Sequence, residues 1–397
     1  MSAGAGTAPP TDRSDRQVLF ATAAVNALVP LNSTMIAVAL PDIVADLGAG
    51  VSGAGWLVTS YLAAMALLQP VGGRLGDRVG RHRLTAIGLA GFAVASLGAS
   101  LSPGLAALLA FRISQAVMGA FMVPNATAML RDVVPADRRG RRFGVLGSVM
   151  GLSAAVGPLV GGVLVATAGW RSVFAVNVPA VVLAAVALAR SPHGRHRPSA
   201  VTGARPALLR NRPFAAAAAA NALGNLSMYT TLVVVPLALA HRDWGAGATG
   251  VALGALTLSM TVFAAIGGRL ADRTGRRRPA VAGAALLAVA MVPLATTDGG
   301  LATAPLVAAL ILSGAGIGMA TPALQTASLE AVPATHAGAA AGLYSTMRYA
   351  GSVTGTAAGT FIVDDRSGFG VAFAMAGVAA VLASVVALGV RQRGIDA

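Results

Sequence analysis

The chain of 397 residues contains no cysteine, so neither disulfides nor thiolate metal sites are open to it. It contains no lysine either, and all 29 basic residues are arginine. Charge of any kind is scarce: 11% of residues carry it, less than half the usual share in a soluble domain. The five histidines, His82, His193, His196, His241 and His336, are scattered through polar segments and form no ligand cluster. No Walker-type loop, zinc-ligand spacing or nucleophile elbow is present. The missing phosphate loop excludes an intrinsic ATPase, and the other absences leave a membrane-embedded enzyme without machinery.

What the chain has is apolar surface. Hydrophobic residues make up 56% and the mean hydropathy is +0.73, values suited to lipid rather than water. Apolar runs of bilayer-crossing length fall at 18–40, 53–71, 84–102, 104–130, 143–166, 171–190, 214–239, 247–266, 280–297, 301–328, 337–362 and 369–390. That predicts twelve transmembrane helices. The first run is too long for the core of a cleaved signal and no cleavage site follows it, so it reads as the first span.

The loops alternate in charge. One set holds Arg74–Arg83, Arg131–Arg142, Arg190–Arg212, Arg269–Arg278 and the tail with Arg391 and Arg393. The opposite set holds only Arg171, Arg242 and Arg366 beside Asp42, Asp46, Asp243, Asp298, Asp364 and Asp365. Positive loops stay inside, so both termini are expected in the cytoplasm of a multi-pass protein of the cell membrane. The net charge of +15 is then topological and implies no nucleic-acid partner.

The chain also repeats itself. Gly72–Arg83, GGRLGDRVGRHR, returns 195 positions later as Gly267–Arg278, GGRLADRTGRRR. At the same offset Asn26, Ala27, Leu28 and Pro41 return as Asn221, Ala222, Leu223 and Pro236. At an offset of 198, Val134, Pro135, Ala136 and Gly144 return as Val332, Pro333, Ala334 and Gly342. The expected fold is all-α integral membrane, twelve transmembrane helices in two pseudo-symmetric six-helix bundles with a site between them near the midplane. Its parts are a cytoplasmic N-terminal arm (1–17), an N-terminal bundle (18–190), a cytoplasmic linker (191–213), a C-terminal bundle (214–390) and a cytoplasmic tail (391–397).

Three elements carry chemistry. In the repeated loop, Gly73 and Gly80 predict close helix approach through a tight turn, and Asp77 can pair with arginines or cap a helix. Gly268, Asp272, Arg273 and Gly275 restate it in the second half. In span 5, Gly144, Ser153, Gly157, Pro158, Gly161 and Gly162 set a smooth stripe around a kinking proline. Arg112 in span 4 lies eight residues past Gly104, about 12 Å along a helix, too deep to reach either face easily. Arg348 in span 11 is a second buried cation, with Tyr344 and Tyr349 beside it.

These residues resemble the major facilitator superfamily. Its loop pattern Gly-x-Leu-(small)-Asp-Arg-x-Gly-Arg is met by Gly73, Leu75, Gly76, Asp77, Arg78, Gly80 and Arg81. The resemblance implies the major facilitator fold, with Asp77, Arg78 and Arg81 holding one conformation through charge contacts to neighbouring helix ends. The span-5 motif is similar to that of the drug:proton antiporter branch, with Ser153 where the branch has glycine, and points to multidrug efflux and antibiotic resistance. Arg112 with Gln115 resembles the branch's Arg-x-x-Gln-Gly element, with Ala116 replacing the glycine, and the resemblance assigns it to proton coupling. In span 1, Leu31–Pro41 resembles Leu-Asp-x-Thr-Ile-Val-Asn-Val-Ala-Leu-Pro, but Asn32 replaces the aspartate and Ala37 the asparagine. Asparagine cannot titrate, so proton carriage falls to end carboxylates such as Asp77 acting with Arg112.

The expected cavity lining is Asn26, Asn32, Thr34, Tyr61, Gln69, Gln115, Asn125, Asn221, Asn225, Tyr229, Gln325, Tyr344 and Arg348. The expected function is secondary active efflux of a small organic molecule by alternating access in exchange for protons, by a monomer in the lipid bilayer needing no cofactor and no metal. A proton-independent facilitator or importer is the alternative. With two buried arginines and no buried carboxylate, a neutral or anionic substrate fits better than a cationic one.

Overall fold

Inside a bilayer the backbone has no water to bond, so an apolar run must satisfy its own amides, and helix is the way a single segment does so. The computed structural model describes residues 12–191, 208–297, 302–333, 336–363 and 368–391, and they form twelve long helices. The first six are α1 (Asp12–Leu47), α2 (Gly50–Val79), α3 (Arg81–Ser100), α4 (Leu105–Val133), α5 (Ala136–Ala168) and α6 (Ser172–Ala189). The second six are α7 (Arg212–Ala240), α8 (Ala246–Thr274), α9 (Arg277–Thr296), α10 (Thr303–Glu330), α11 (Ala337–Ile362) and α12 (Phe369–Ala387). Eleven are long and apolar enough to cross a membrane by composition alone, and α11, which carries Arg348, is the twelfth by length. Most of the linker, arm and tail expected from the sequence lie outside the described residues.

Prolines sit inside helices without ending them: Pro30 and Pro41 in α1, Pro70 in α2, Pro124 in α4, Pro158 in α5, Pro236 in α7, Pro293 in α9 and Pro322 in α10. Most helices overrun the predicted spans, because a helix needs only its own hydrogen bonds to continue past the apolar region. The repeated loop is corrected most. Residues 72–79 are the last turns of α2, and the turn itself is Gly80, with φ +103°. Its counterpart is Gly275, with φ +83°, after α8. Both conformations are ones an L side chain rarely adopts, which is why glycine recurs there.

The repeat is visible in the packing. In the first bundle α1 packs on α5, α2 and α3 on α4, and α3 and α1 on α6. In the second α7 packs on α11, α8 and α9 on α10, and α9 and α7 on α12, each pair six helices further on. The bundles meet along two seams, α2 with α11 and α5 with α8.

Candidate conformational clamps and central cavity

At the end of each bundle that carries the repeated loop, one arginine is held by two carboxylates. Arg81 is 6% exposed and bonds Asp77 one turn back at 2.9 Å. It also bonds Asp132, in the last turn of α4. Arg276 bonds Asp272 at 2.6 Å and Glu330, the last residue of α10, at 3.1 Å. The hydrogen bond that Arg276 donates to Glu330, and less so the one it donates to Asp272, raises the pKa of Arg276, so its guanidinium stays charged throughout the physiological range. Each clamp ties a loop to a neighbouring helix end of its own bundle. Arg78 and Arg273 are exposed and take no part in either.

The close-approach glycines are not those expected. A Cβ on Gly73 or Gly268 would meet open space. It is Gly72 that stands against the Ala120 backbone of α4, and Gly267 against Met319 of α10. Gly76 leaves room for the side chain of Asn125, which donates to the Gly72 carbonyl at 2.9 Å. α3 begins at Arg81, and its cap position, Gly80, has no side-chain cap.

The span-5 motif fits α5 between two partners. Gly157 and Gly161 face α1, where a Cβ would press on Thr34 and, at 3.0 Å, on Met35. Gly162 faces α8, where a Cβ would come within 3.0 Å of the Ala246 carbonyl and 3.1 Å of Gly250. Further along the same seam Thr257 donates to the Ala155 carbonyl at 3.0 Å and Thr261 to that of Gly151 at 3.1 Å. Ser153 serves only its own helix, donating to Val149. Toward the clamps contact ceases: Gly147 and Gly144 have nothing within 4 Å of a Cβ position. On the other seam Gly55 packs against Thr360 far from the clamps, and Gln69 donates to Tyr349 at 3.1 Å. Among the described residues, these contacts between the bundles therefore lie toward the face opposite the clamps.

Arg112 does not face the space between the bundles. It is 1% exposed, bonded to Gln115 at 3.1 Å and to the Leu57 carbonyl at 3.4 Å. The Tyr61 ring stacks on it, 4.2 Å from guanidinium carbon to ring centre. Gln115 in turn donates to Ser96. No carboxylate stands within ion-pair reach among the described residues. Asp77 is on the same side of the membrane as the clamps, twenty residues past Leu57, about 30 Å along α2. The structure thus does not bring together the two groups expected to share proton coupling.

Several residues expected to line the cavity bond helix to helix instead. Asn125 ties α4 to α2, Thr34 bonds the Pro30 carbonyl and packs on Gly157, Gln115 supports Arg112, and Asn26 accepts from Thr127 of α4. Asn32 is fully buried and accepts at 3.0 Å from Asn177 of α6. Asn225 bonds Asn221 on its own helix, and Gln325 is exposed.

What does converge is aromatic. The chain has four tyrosines, and all four stand near Arg112 or Arg348. Arg348 lies 4.6 Å over the Tyr349 ring, with Tyr229 of α7 and Tyr344 close enough to interact electrostatically. Tyr61, stacked on Arg112, is within the same range of Tyr349 and Tyr229. Unlike Arg112, the Arg348 side chain is partly accessible. The hydroxyl of Tyr344 has no hydrogen-bond partner among the described residues. Asn177, the partner of Asn32, carries no signal in the sequence that marks it, whereas Tyr349 follows Arg348 directly in the chain.

The family model for the Major Facilitator Superfamily matches residues 22–356 and, again, 218–395. The chain belongs to the major facilitator superfamily. Within this superfamily, an uncharacterised MFS-type transporter of Bacillus subtilis, YvkA, is 30% identical over 92% of this chain and 94% of its own. The puromycin resistance protein pur8 of Streptomyces alboniger is 31% identical over 84% of this chain and 79% of its own. The tetracenomycin C resistance and export protein of Streptomyces glaucescens is 40% identical, over 43% of this chain and 31% of its own. Among solved structures, a bacterial homologue of the lysosomal transporter Spinster, inward-facing and occupied, superposes with TM-score 0.78 at 17% identity, covering 98% of both chains. The superfamily's fold is thus present across the chain, and the protein is a multi-pass membrane transporter. Among the described residues no group of side chains could hold a metal ion.

Proposed function

We propose that this transporter exports a small organic molecule, of the drug, antibiotic or metabolite kind, from the cytoplasm by alternating access. The observation that carries the reading is the α5–α8 seam, where Gly162 and Gly250 let two backbones meet at the face away from the clamps, while Gly147 and Gly144, nearer the clamps, face open space. With the arginine-rich loops assigned to the cytoplasm, the cavity loads from inside, as an exporter's must. The bundles then rock about Gly157–Gly162, and the Arg81 and Arg276 clamps hold the loop ends rigid during the swing. Relatives named for puromycin resistance and tetracenomycin export support the direction.

Exchange for protons has the weaker support, because the Asn32–Asn177 pair offers no titrating group and Arg112 has no acid beside it. That geometry favours a second reading, proton-independent transport through the same cavity. Everted membrane vesicles test both: export appears as protein-dependent uptake of an antibiotic from a panel, lost in Gly162→Leu. Uptake of none of the panel, under either a pH gradient or a potential, would overturn the export reading. Uptake that collapses with the pH gradient alone would restore proton exchange.

A further inference from the structure

The cavity's charge is one-sided. Every one of the 14 acids lies by sequence at a helix end or in a loop. Asp42 and Asp46 are near the end of α1, Asp77 and Asp272 in the last turns of α2 and α8, Asp132 and Glu330 at the ends of α4 and α10, and Asp243 just past α7. Between those ends the helices carry Arg112 and Arg348. Arg112 is sealed within the first bundle, but Arg348 is partly accessible eleven residues into α11, beside tyrosines from α7 and α11. A guanidinium in mid-span, only partly accessible and with no carboxylate in ion-pair reach among the described residues, is an unfavourable arrangement unless something else brings the negative charge.

We infer that the substrate brings it: the exported molecule is an organic anion with an aromatic ring system, its anionic group held by Arg348 and its ring lying among Tyr229, Tyr344 and Tyr349, and it leaves the cell by uniport driven by the inside-negative membrane potential. The inference rests on the export reading and adds substrate charge and energy source to it. Arginine suits the task because its planar fork donates two parallel hydrogen bonds to an oxyanion. Tyrosine supplies ring faces for stacking, and the Tyr344 hydroxyl is an unused donor. A cation at the same place would meet like charge.

The energetics then need no titrating residue. The two arginines stay with the protein, so each cycle carries the substrate's charge outward. A potential of 100 mV favours outward movement of one negative charge by about 50-fold. Asn32 and Asn177, bonded to each other where an acid would otherwise be needed, are sufficient for such a cycle.

Two fluorescent probes with the same ring and fixed opposite charges test this: anthracene sulfonate and anthracenylmethyl trimethylammonium. The full-length protein would be reconstituted in liposomes, with potassium gradients and valinomycin setting the potential at equal internal and external pH. The expected result is efflux of the sulfonate that accelerates as the interior is made negative, approaches a 50-fold ratio at 100 mV, and is unchanged when strong buffer on both sides holds internal and external pH equal. Binding to the detergent-purified protein should weaken at least 10-fold in Arg348→Gln, with its elution profile and helical circular dichroism unchanged. Arg348→Lys should bind with intermediate affinity, which also guards against a folding defect in the first variant. Movement of the ammonium probe in preference to the sulfonate overturns the inference and leaves export standing, as does movement of neither by protein that still carries an antibiotic from the panel. Sulfonate flux that follows pH and ignores potential overturns the uniport step. Failure to move either probe or any panel compound overturns the export reading and the inference with it.

Discussion

The amide of Asn177 donates to the side-chain oxygen of Asn32 at 3.0 Å, with both residues fully buried between α6 and α1. Each retains one polar atom, Asn32 Nδ2 and Asn177 Oδ1, without a protein partner. This is a neutral junction at the depth where the resembling antiporters place an acid.

Replacing it with a charge gives the first prediction. Asn32→Asp introduces a titrating group into a region with no acid, next to an amide able to donate to it. Transport by the wild type should vary less than about 2-fold between roughly pH 5 and 8, since only end groups and loops titrate there. The variant should acquire a pH-dependent component, measured as initial flux in liposomes at matched internal and external pH. An equally flat profile in both would show that position 32 does not face the transport cycle.

The seam between bundles gives the second. A Cβ on Gly250 would come within 2.5 Å of the Pro158 carbonyl, and one on Gly162 within 3.0 Å of that of Ala246. Neither backbone can give way without moving a whole helix. Gly250→Ala and Gly162→Ala should each lower thermal stability by about 1–3 kcal/mol and reduce flux at least 10-fold. Gly147→Ala, which meets nothing within 4 Å, should leave both unchanged.

The two clamps should differ in strength although their geometry matches. Arg81 is 6% exposed and its partner Asp77 22%, whereas Asp272 beside Arg276 is 72% exposed. Arg81→Ala removes the buried guanidinium of the less solvated clamp and should cost about 2 kcal/mol, less than a fully buried pair because Asp132 keeps Arg131 beside it. Arg276→Ala should cost about 1 kcal/mol or less, in the range of exposed pairs. Melting of both variants in detergent at low and high salt checks the order, and salt should weaken the Arg276 clamp more.

The repeated loop separates backbone need from packing need. Gly80→Ala forces a side chain onto φ +103° and should destabilise by about 1–2 kcal/mol. Gly73→Ala meets open space and should gain a few tenths from helix propensity. Equal losses in the two would mean that Gly73 is used in a conformation other than this one.

Much of this architecture was legible because hydropathy and repetition are local properties of a chain. Twelve spans, the six-helix period and the Gly80 and Gly275 turns could be found by reading along it. The partner of each polar side chain could not, because it depends on which helix arrives opposite. Asn125 was read as cavity lining and holds the Gly72 carbonyl instead. Thr34 was read the same way and fills the space left by Gly157. Arg112 was rightly placed deep, but its wall of Tyr61, Phe174 and Gln115 draws on three helices, and no spacing encodes that. Which conformation the bundles adopt is equally invisible, since one sequence must permit both states.

The two seams between the bundles are one contact made twice. Exchange the bundles, and α2 against α11 becomes α8 against α5. A six-helix chain able to lay its second helix on the fifth helix of another copy would close into a dimer with a two-fold axis, satisfying both edges at once. Joining two such copies end to end requires no new surface, only a linker. Once joined, the halves are free to diverge, and one can seal Arg112 inside its own bundle while the other leaves Arg348 partly accessible.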